Sequence, residues 1–566
     1  MSKIKLKSND NGTGVISVES PNTNTDRTLS LPDSTGTLLT TTGDGSNLTG
    51  ISSGATSLNG LSDATVTANN NIGIGSGAVD SITTGDHNTG VGVNALTANT
   101  EGSSNVAMGR ESLDANTTGY ENTGIGYQAL TSNTTAFKNT AVGNKALQLN
   151  TTGATNTAVG WESAKTSTTA ENVAAFGYQS AQDNTASNIT AIGTNALMEN
   201  TSGANNAALG HNSLKTNTTG SANTALGRQA LKANTTANHN TAAGFESMLS
   251  NTTGYESAAF GSESLRANTT GHNHTAIGYN ALKVNTSGTH STAVGSNAML
   301  SQTTGGANVA VGSRAMEANT TGGSNTAIGY RSLLANTTGN SNTTLGRDVL
   351  LQSTTGSGNV GIGYEALSTA SNANHNTAVG RGSMQNSTTG FASTCIGYET
   401  GNIITTGYKN TCVGWKAGND ITTGVNNTCI GTDASTSSAT VYNEVTLGDG
   451  NVTNLRCNDT SISGLSDKRD KTNIQDVPLG VDFLNTVRPV SFDWARRDGT
   501  MEGKKAFGFI AQELKVAADA TDYADHMRLV HEDNPDKLEA DPMKMFPVLV
   551  KAIQELSAKV KALEEA

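Results

Sequence analysis

The chain has 566 residues and a formal net charge of −12, with 64 Gly, only 7 Pro, 34% hydrophobic, 4% aromatic and 14% charged residues. So little bulky apolar material excludes several conventional cores, while low charge and scarce proline separate the chain from disordered sequences. Beyond the start MSKIKLK no basic run exists, which removes nucleic acid and membrane surfaces as expected partners. No stretch reaches the ~18–20 apolar residues of a membrane span, and no apolar signal core follows Lys7, so synthesis in a cytoplasm is expected.

Residues 1–52 form the first predicted region. Gly14-Val15-Ile16-Ser17-Val18-Glu19-Ser20-Pro21 and Arg27-Thr28-Leu29-Ser30-Leu31-Pro32 alternate like strands and end at prolines, so short β-strands are expected. Residues 53–70, dominated by Gly, Ser, Asn and Thr, read as a linker.

Residues 71–448 carry a unit of the form N-T-A-[VIL]-G-x-x-[AS]-[LM]-x-x-N-T-T-G-x-x. Its marker glycine recurs every 17 residues from Gly75 to Gly448, with one step of 16 between Gly177 and Gly193. A short fixed period predicts a β-solenoid in which each turn stacks on its neighbours. In one unit, Asn325-Thr326-Ala327-Ile328-Gly329 is the expected strand, Ser332-Leu333 a corner, and Asn336-Thr337-Thr338-Gly339 a turn, with Asn and Thr stacked as ladders. One strand face carries Val, Ile or Leu and the other Ala or Gly; both are expected to be covered, which points to several chains side by side.

Cys395, Cys412 and Cys429 replace the Ala of the strand and are expected to stack as small buried side chains. The residue after the marker glycine is aromatic at Tyr127, Trp161, Tyr178, Phe245, Tyr279, Tyr330, Tyr364, Tyr398 and Trp415, interleaved with Arg110, Arg228, Arg347 and Arg381. These rings either form a strip able to stack on sugars or cover the corner of each turn, the commoner role. His272-Asn273-His274 offers metal ligands around a trimer axis, against the preferred reading as solvated loop histidines; no cofactor or metal is expected. The N-T-T triplets read as stacking positions, and the scattered acids Glu162, Glu246 and Glu317 make no glycosidase pair.

These repeats resemble the head repeats of YadA-like trimeric adhesins and the NTAIG-type arrays of phage tail fibres. The opening segment resembles tail-fibre N-termini of marine phages, which implies attachment to a virion tail or baseplate protein.

After a neck at 449–465 the composition changes, and 15 basic and 19 acidic residues fall in 466–566. Gly464-Leu465-Ser466-Asp467-Lys468-Arg469-Asp470-Lys471-Thr472-Asn473-Ile474 is followed by Arg488-Pro489-Val490-Ser491-Phe492-Asp493-Trp494 and Phe507-Gly508-Phe509-Ile510-Ala511-Gln512-Glu513-Leu514. This order resembles the intramolecular chaperone auto-processing domain of phage tail spikes and fibres. The resemblance implies a trimeric chaperone that cuts itself off once, at Leu465–Ser466, with Ser466 as nucleophile and Lys471 as its base. A lysine becomes a base when burial or nearby cations lower its pKa, and Lys468 and Arg469 are the expected cations. Leu549, Ile553, Leu556, Val560 and Leu563, spaced 4-3-4-3, predict a short coiled-coil helix.

The expectation is therefore a mainly β, trimeric β-solenoid or β-roll followed by a small α+β chaperone domain. As a function it implies a homotrimeric phage tail fibre, part of a virion, recognising a glycan or protein on the host surface. A trimeric bacterial adhesin and a tail spike that depolymerises polysaccharide are the alternatives.

Overall fold

The structure, a computed structural model, describes residues 4–6, 16–18, 64–67, 69–452, 455–456, 466–495, 502–532 and 538–566. Near the start, Ile4–Leu6 pairs antiparallel with Ile16–Val18, so the strand expected around Ile16 is present. The stretch Arg27–Pro32 lies outside the described residues.

Twenty-three short strands run from Ile72–Ile74 to Val445–Leu447, one per marker glycine. Each pairs in parallel with the strand one turn on, as Thr326 does with Thr343 and Ile328 with Leu345, so the chain coils on itself. Ahead of them, Ala64–Val66 folds back antiparallel onto Ile72–Ile74 and closes the first edge, which would otherwise offer unpaired backbone groups.

The marker glycine is required by space as much as by conformation. Gly329 has φ +131°, and a Cβ on it would sit 2.2 Å from the carbonyl oxygen of Gly346 in the next turn. The two corners take left-handed residues that are not glycine, such as Arg331 (φ 55°), Leu333 (φ 55°) and Ser341 (φ 57°). Each costs about 1 kcal/mol or more. Complete burial of Leu333 offsets that cost.

Inside the coil, three kinds of side chain stack. Ala327 and its equivalents line the strand side, Leu333 and its equivalents the opposite wall, and two asparagine ladders fill the corners. Asn336 donates from Nδ2 to Asn319 Oδ1 at 2.8 Å and to Gly339 O at 3.1 Å. In the second ladder Asn325 donates from its backbone N to Asn308 Oδ1 at 2.9 Å and from Nδ2 to Gly339 O at 2.9 Å. Thr337 Oγ1 donates to Thr354 O at 3.0 Å. A buried amide without such partners would destabilise the turn, and the ladder supplies donor partners through most levels, although the Oδ1 atoms of Asn150, Asn285 and Asn336 accept no hydrogen bond.

The two strand faces differ in burial. The small residue points inward and is buried, whereas the Val, Ile or Leu before the marker glycine points outward, leaving Ile328 38% and Leu345 47% exposed. Only a small side chain fits the narrow interior behind the strand, so alternation sends its larger neighbours out. In a single chain only the Ala face is covered.

Irregular turns compensate locally. Where the wall leucine becomes Ala164 or Ala181, the buried aliphatics Val173 and Ile189 take asparagine positions. Where it becomes Gly401 or Gly418, Ile404 and Ile421 do so. Cys395, Cys412 and Cys429 stack in the alanine column, fully buried, and hydrogen bonding between neighbouring thiols, together with burial, pushes the Cys412 and Cys429 thiols up. Cys457 lies outside the described residues.

The C-terminal residues build a separate small core. Its helices are α1 (Val481–Leu484), α2 (Ala511–Asp519), α3 (Ala524–Met527) and α4 (Phe546–Glu564). A hairpin joins Val490–Asp493 to Lys505–Gly508, and Phe483, Leu514, Met527, Leu529, Met545 and Val548 pack together. Helix α4 turns Val548 and Ala552 into this protein, while the predicted seam, Leu549 to Leu563, faces out. No helix among the described residues is long and apolar enough to cross a membrane.

Candidate processing site and surface columns

Five residues of extended chain would separate Ser466 from Lys471 by up to ~17 Å. A single 3-10 turn over Lys468–Asp470 folds the segment back instead, and Lys471 Nζ comes within 2.5 Å of Ser466 Oγ. The two predicted side chains are therefore in hydrogen-bond contact, the geometry a proton transfer needs. Both are exposed in the single chain. Leu465, the other half of the expected scissile bond, lies outside the described residues.

Asp467 caps the turn. Its Oδ1 accepts from Arg469 N at 2.9 Å, and its carboxylate accepts from Arg469 Nε at 3.1 and 3.0 Å and from Nη2 at 2.5 Å. These hydrogen bonds from Arg469 hold the Asp467 carboxyl below the usual carboxylate range. Arg469, expected as a cation near Lys471, is paired with the Asp467 carboxylate. Neither residue's acid–base pairing was visible in sequence, where Asp467 and Arg469 look like any two charged neighbours.

The nine predicted aromatics lie in one outward column at the first corner. Tyr127, Trp161, Tyr178, Phe245, Tyr279, Tyr330, Tyr364 and Trp415 are exposed and Tyr398 is half-buried. Many of their faces are occupied from within the column. Trp161 stacks on Tyr178 with centroids 4.9 Å apart and planes 9° off parallel, and Tyr398 stacks on Trp415 at 6.2 Å. Guanidiniums fill intermediate levels: Arg347 lies 5.9 and 5.6 Å from the Tyr330 and Tyr364 rings, and Arg381 lies 5.8 and 5.7 Å from Tyr364 and Tyr398. Arg110 covers Tyr127 and Arg228 covers Phe245. Such contacts stabilise the column by cation–π attraction and leave ring edges and side-chain N–H groups toward solvent. The rings therefore form one solvent-facing column whose members pack on one another and on neighbouring guanidiniums. Glu365 and Glu399 accept from the phenols beside them and push Tyr364 and Tyr398 up.

A second aromatic column at the other corner was missed in the sequence. Tyr120 stacks on Phe137 at 5.0 Å, Tyr255 on His272 at 4.6 Å and Phe391 on Tyr408 at 4.5 Å. Its signal was the fixed offset of eleven residues after the marker glycine, hidden because most turns carry a small residue there.

The histidines separate. His272 points outward against Tyr255 and lies edge-on to His290, whereas His274 is turned inward into the asparagine ladder. His274 is therefore no solvated loop histidine, and the two rings do not share a surface. Its Nε2 lies 2.6 Å from Gly288 O, and its Nδ1 accepts from Ser291 N at 3.4 Å. Burial depresses its pKa to about 4. Among the described residues no group of three His, Cys, Asp or Glu is placed to hold a metal ion.

A family model described as the chaperone of endosialidase matches residues 466–524, beginning at the serine that contacts Lys471. No curated protein and no solved structure matches the chain.

Proposed function

We propose that this chain is a phage tail fibre or tail spike, assembled with the help of residues 466–566 and matured by one self-inflicted cut between Leu465 and Ser466. The observation that carries this reading is the Ser466 Oγ to Lys471 Nζ contact of 2.5 Å at the first residue matched by the chaperone family, directly after a solenoid of twenty-three strands.

The chemistry proceeds in two balanced steps. Lys471 takes the hydroxyl proton while Ser466 Oγ bonds to the Leu465 carbonyl carbon; the C–N bond then breaks, and the Ser466 nitrogen leaves as an amine carrying a proton. Water next hydrolyses the ester, restoring the serine hydroxyl and releasing a Leu465 carboxylate. One water is consumed per chain, and nothing turns over again.

In this reading the fibre is a homotrimer whose chains meet through the outward column of Val, Ile and Leu, because a contiguous apolar column of that length exceeds what a monomer leaves to water. The exposed seam of α4 serves the same association. Residues 1–52 attach the fibre to the virion, and the aromatic column from Tyr127 to Trp415 meets the host surface.

Intact mass of the full-length wild type and of Ser466→Ala and Lys471→Ala, each expressed alone, tests the central step. A fragment starting at Ser466 is expected from the wild type only. A wild type that stays full length overturns the processing reading.

A further inference from the structure

Resting on the reading of Ser466 as a self-cleaving nucleophile, we infer that Asp467 and Arg469 are positioning residues that hold the Ser466 hydroxyl against the Lys471 amine.

The turn that joins the two reacting groups is short and weakly held by backbone alone. Its closing bonds run from Asp470 N to Asp467 O and from Lys471 N to Lys468 O, each 3.2 Å long. Three-residue 3-10 turns have poor hydrogen-bond geometry and do not persist in isolation. None of its residues is buried, so no core packing fixes it.

What remains is the clasp. The Asp467 carboxylate binds the backbone and the side chain of Arg469 together, so one group stops the turn from opening at its start and across its middle. A bidentate guanidinium–carboxylate pair fixes orientation as well as distance. The Arg469 side chain is 88% exposed, and among the described residues Asp467 is the partner found for its guanidinium. Its work is local geometry, not activation of Lys471 by charge, because Asp467 matches that charge. Ser466 sits immediately before the clasp and Lys471 immediately after the turn, so any opening moves the two reacting atoms apart.

The test follows cleavage of the full chain over time by intact mass, with circular dichroism confirming the fold. Asp467→Ala and Arg469→Ala are each expected to cut about tenfold more slowly, the effect of losing roughly one cap or oriented pair. Asp467→Asn keeps an oxygen for Arg469 N and is expected to recover part of the rate. The double variant Asp467→Ala/Arg469→Ala is expected to be no slower than Asp467→Ala, since both remove the same clasp. A folded Arg469→Ala or Asp467→Ala that cuts at the wild-type rate overturns the positioning role. Arg469→Ala decides the matter should Asp467→Ala fail to fold, because Arg469 is exposed. An uncut wild type brings down the processing reading itself and this inference with it, an outcome distinct from wild-type cleavage unaffected by the variants.

Discussion

His274 shows how a single residue can change the behaviour of a repeated fold. The neighbouring turns carry Ser257 and Ser291 at its level, and these small side chains make room for an imidazole where asparagine otherwise stacks. Burial inside the coil keeps the ring neutral, and a second proton on Nδ1 would also face the Ser291 N–H, donor against donor. With a folded pKa of about 4 against an ordinary 6.5, unfolding takes up a proton between those values. Stability contributed by this site is thus complete above about pH 6.5 and falls as the pH drops toward 4, by roughly 3 kcal/mol at most. Because solenoids open locally, the measurement is amide hydrogen exchange of the turns around Ala276 at pH 7 and pH 5. Protection is expected to fall at pH 5 in the wild type and to change much less in His274→Asn. Equal changes in both proteins would show that the ring does not control the turn.

At the scale of one turn, stability depends on filling a fixed cross-section rather than on any one residue type. Gly401 leaves out the wall leucine, and Ile404 and Cys395 close on the space, since a Cβ at Gly401 would lie 2.8 Å from Cys395 Sγ and 2.8 Å from Ile404 Cδ1. Ile404→Asn restores the residue other turns use, yet it is expected to destabilise by about 3 kcal/mol, through the cavity left and an amide with no asparagine above or below. Its neighbours in that column are Ser387 and Ile421. Adding Gly401→Leu should recover part of the loss. Limited proteolysis between Gly397 and Gly414 reads both outcomes, and a neutral Ile404→Asn would show that the turn is not packed as described. The same example marks what the sequence makes legible. The spacing of marker glycines located all twenty-three strands of the coil, and the asparagine ladders followed from Asn325 and Asn336. The inward choice of Ala327 over Ile328 did not, because alternation fixes that two residues point opposite ways, and the width of the coil decides which way is in. His274 was misread for a related reason: the local string His272-Asn273-His274 resembles a loop, while its phase against Gly278 assigns it to a buried ladder. The block beginning at Ser466 was legible as the resemblance that the family match over 466–524 bears out, whereas the Asp467–Arg469 clasp needed the turn to be seen.

For the molecule as a whole, the outward apolar column is the feature that bears on association. Each strand from Ile72–Ile74 to Val445–Leu447 ends in an apolar residue before its glycine, and in the single chain Leu226 is 48% exposed. Neighbouring turns of the same chain cannot cover this face, since parallel stacking aligns the side chains in a row rather than over one another. In the proposed homotrimer, burial against two further copies would remove the row from water along its entire length, and the gain would grow with each turn added, so assembly should be cooperative. In that assembly, charge placed in the row at two adjacent levels would bring six carboxylates around a shared axis without cations to match them. Leu209→Glu/Leu226→Glu is therefore expected to weaken or abolish the trimer, measured as sedimentation mass of the full chain. Tyr279→Glu, on the corner column, is expected to leave the mass unchanged. A wild type that sediments as a monomer would end the trimer reading, and a trimer indifferent to both glutamates would place its interface on another face of the coil.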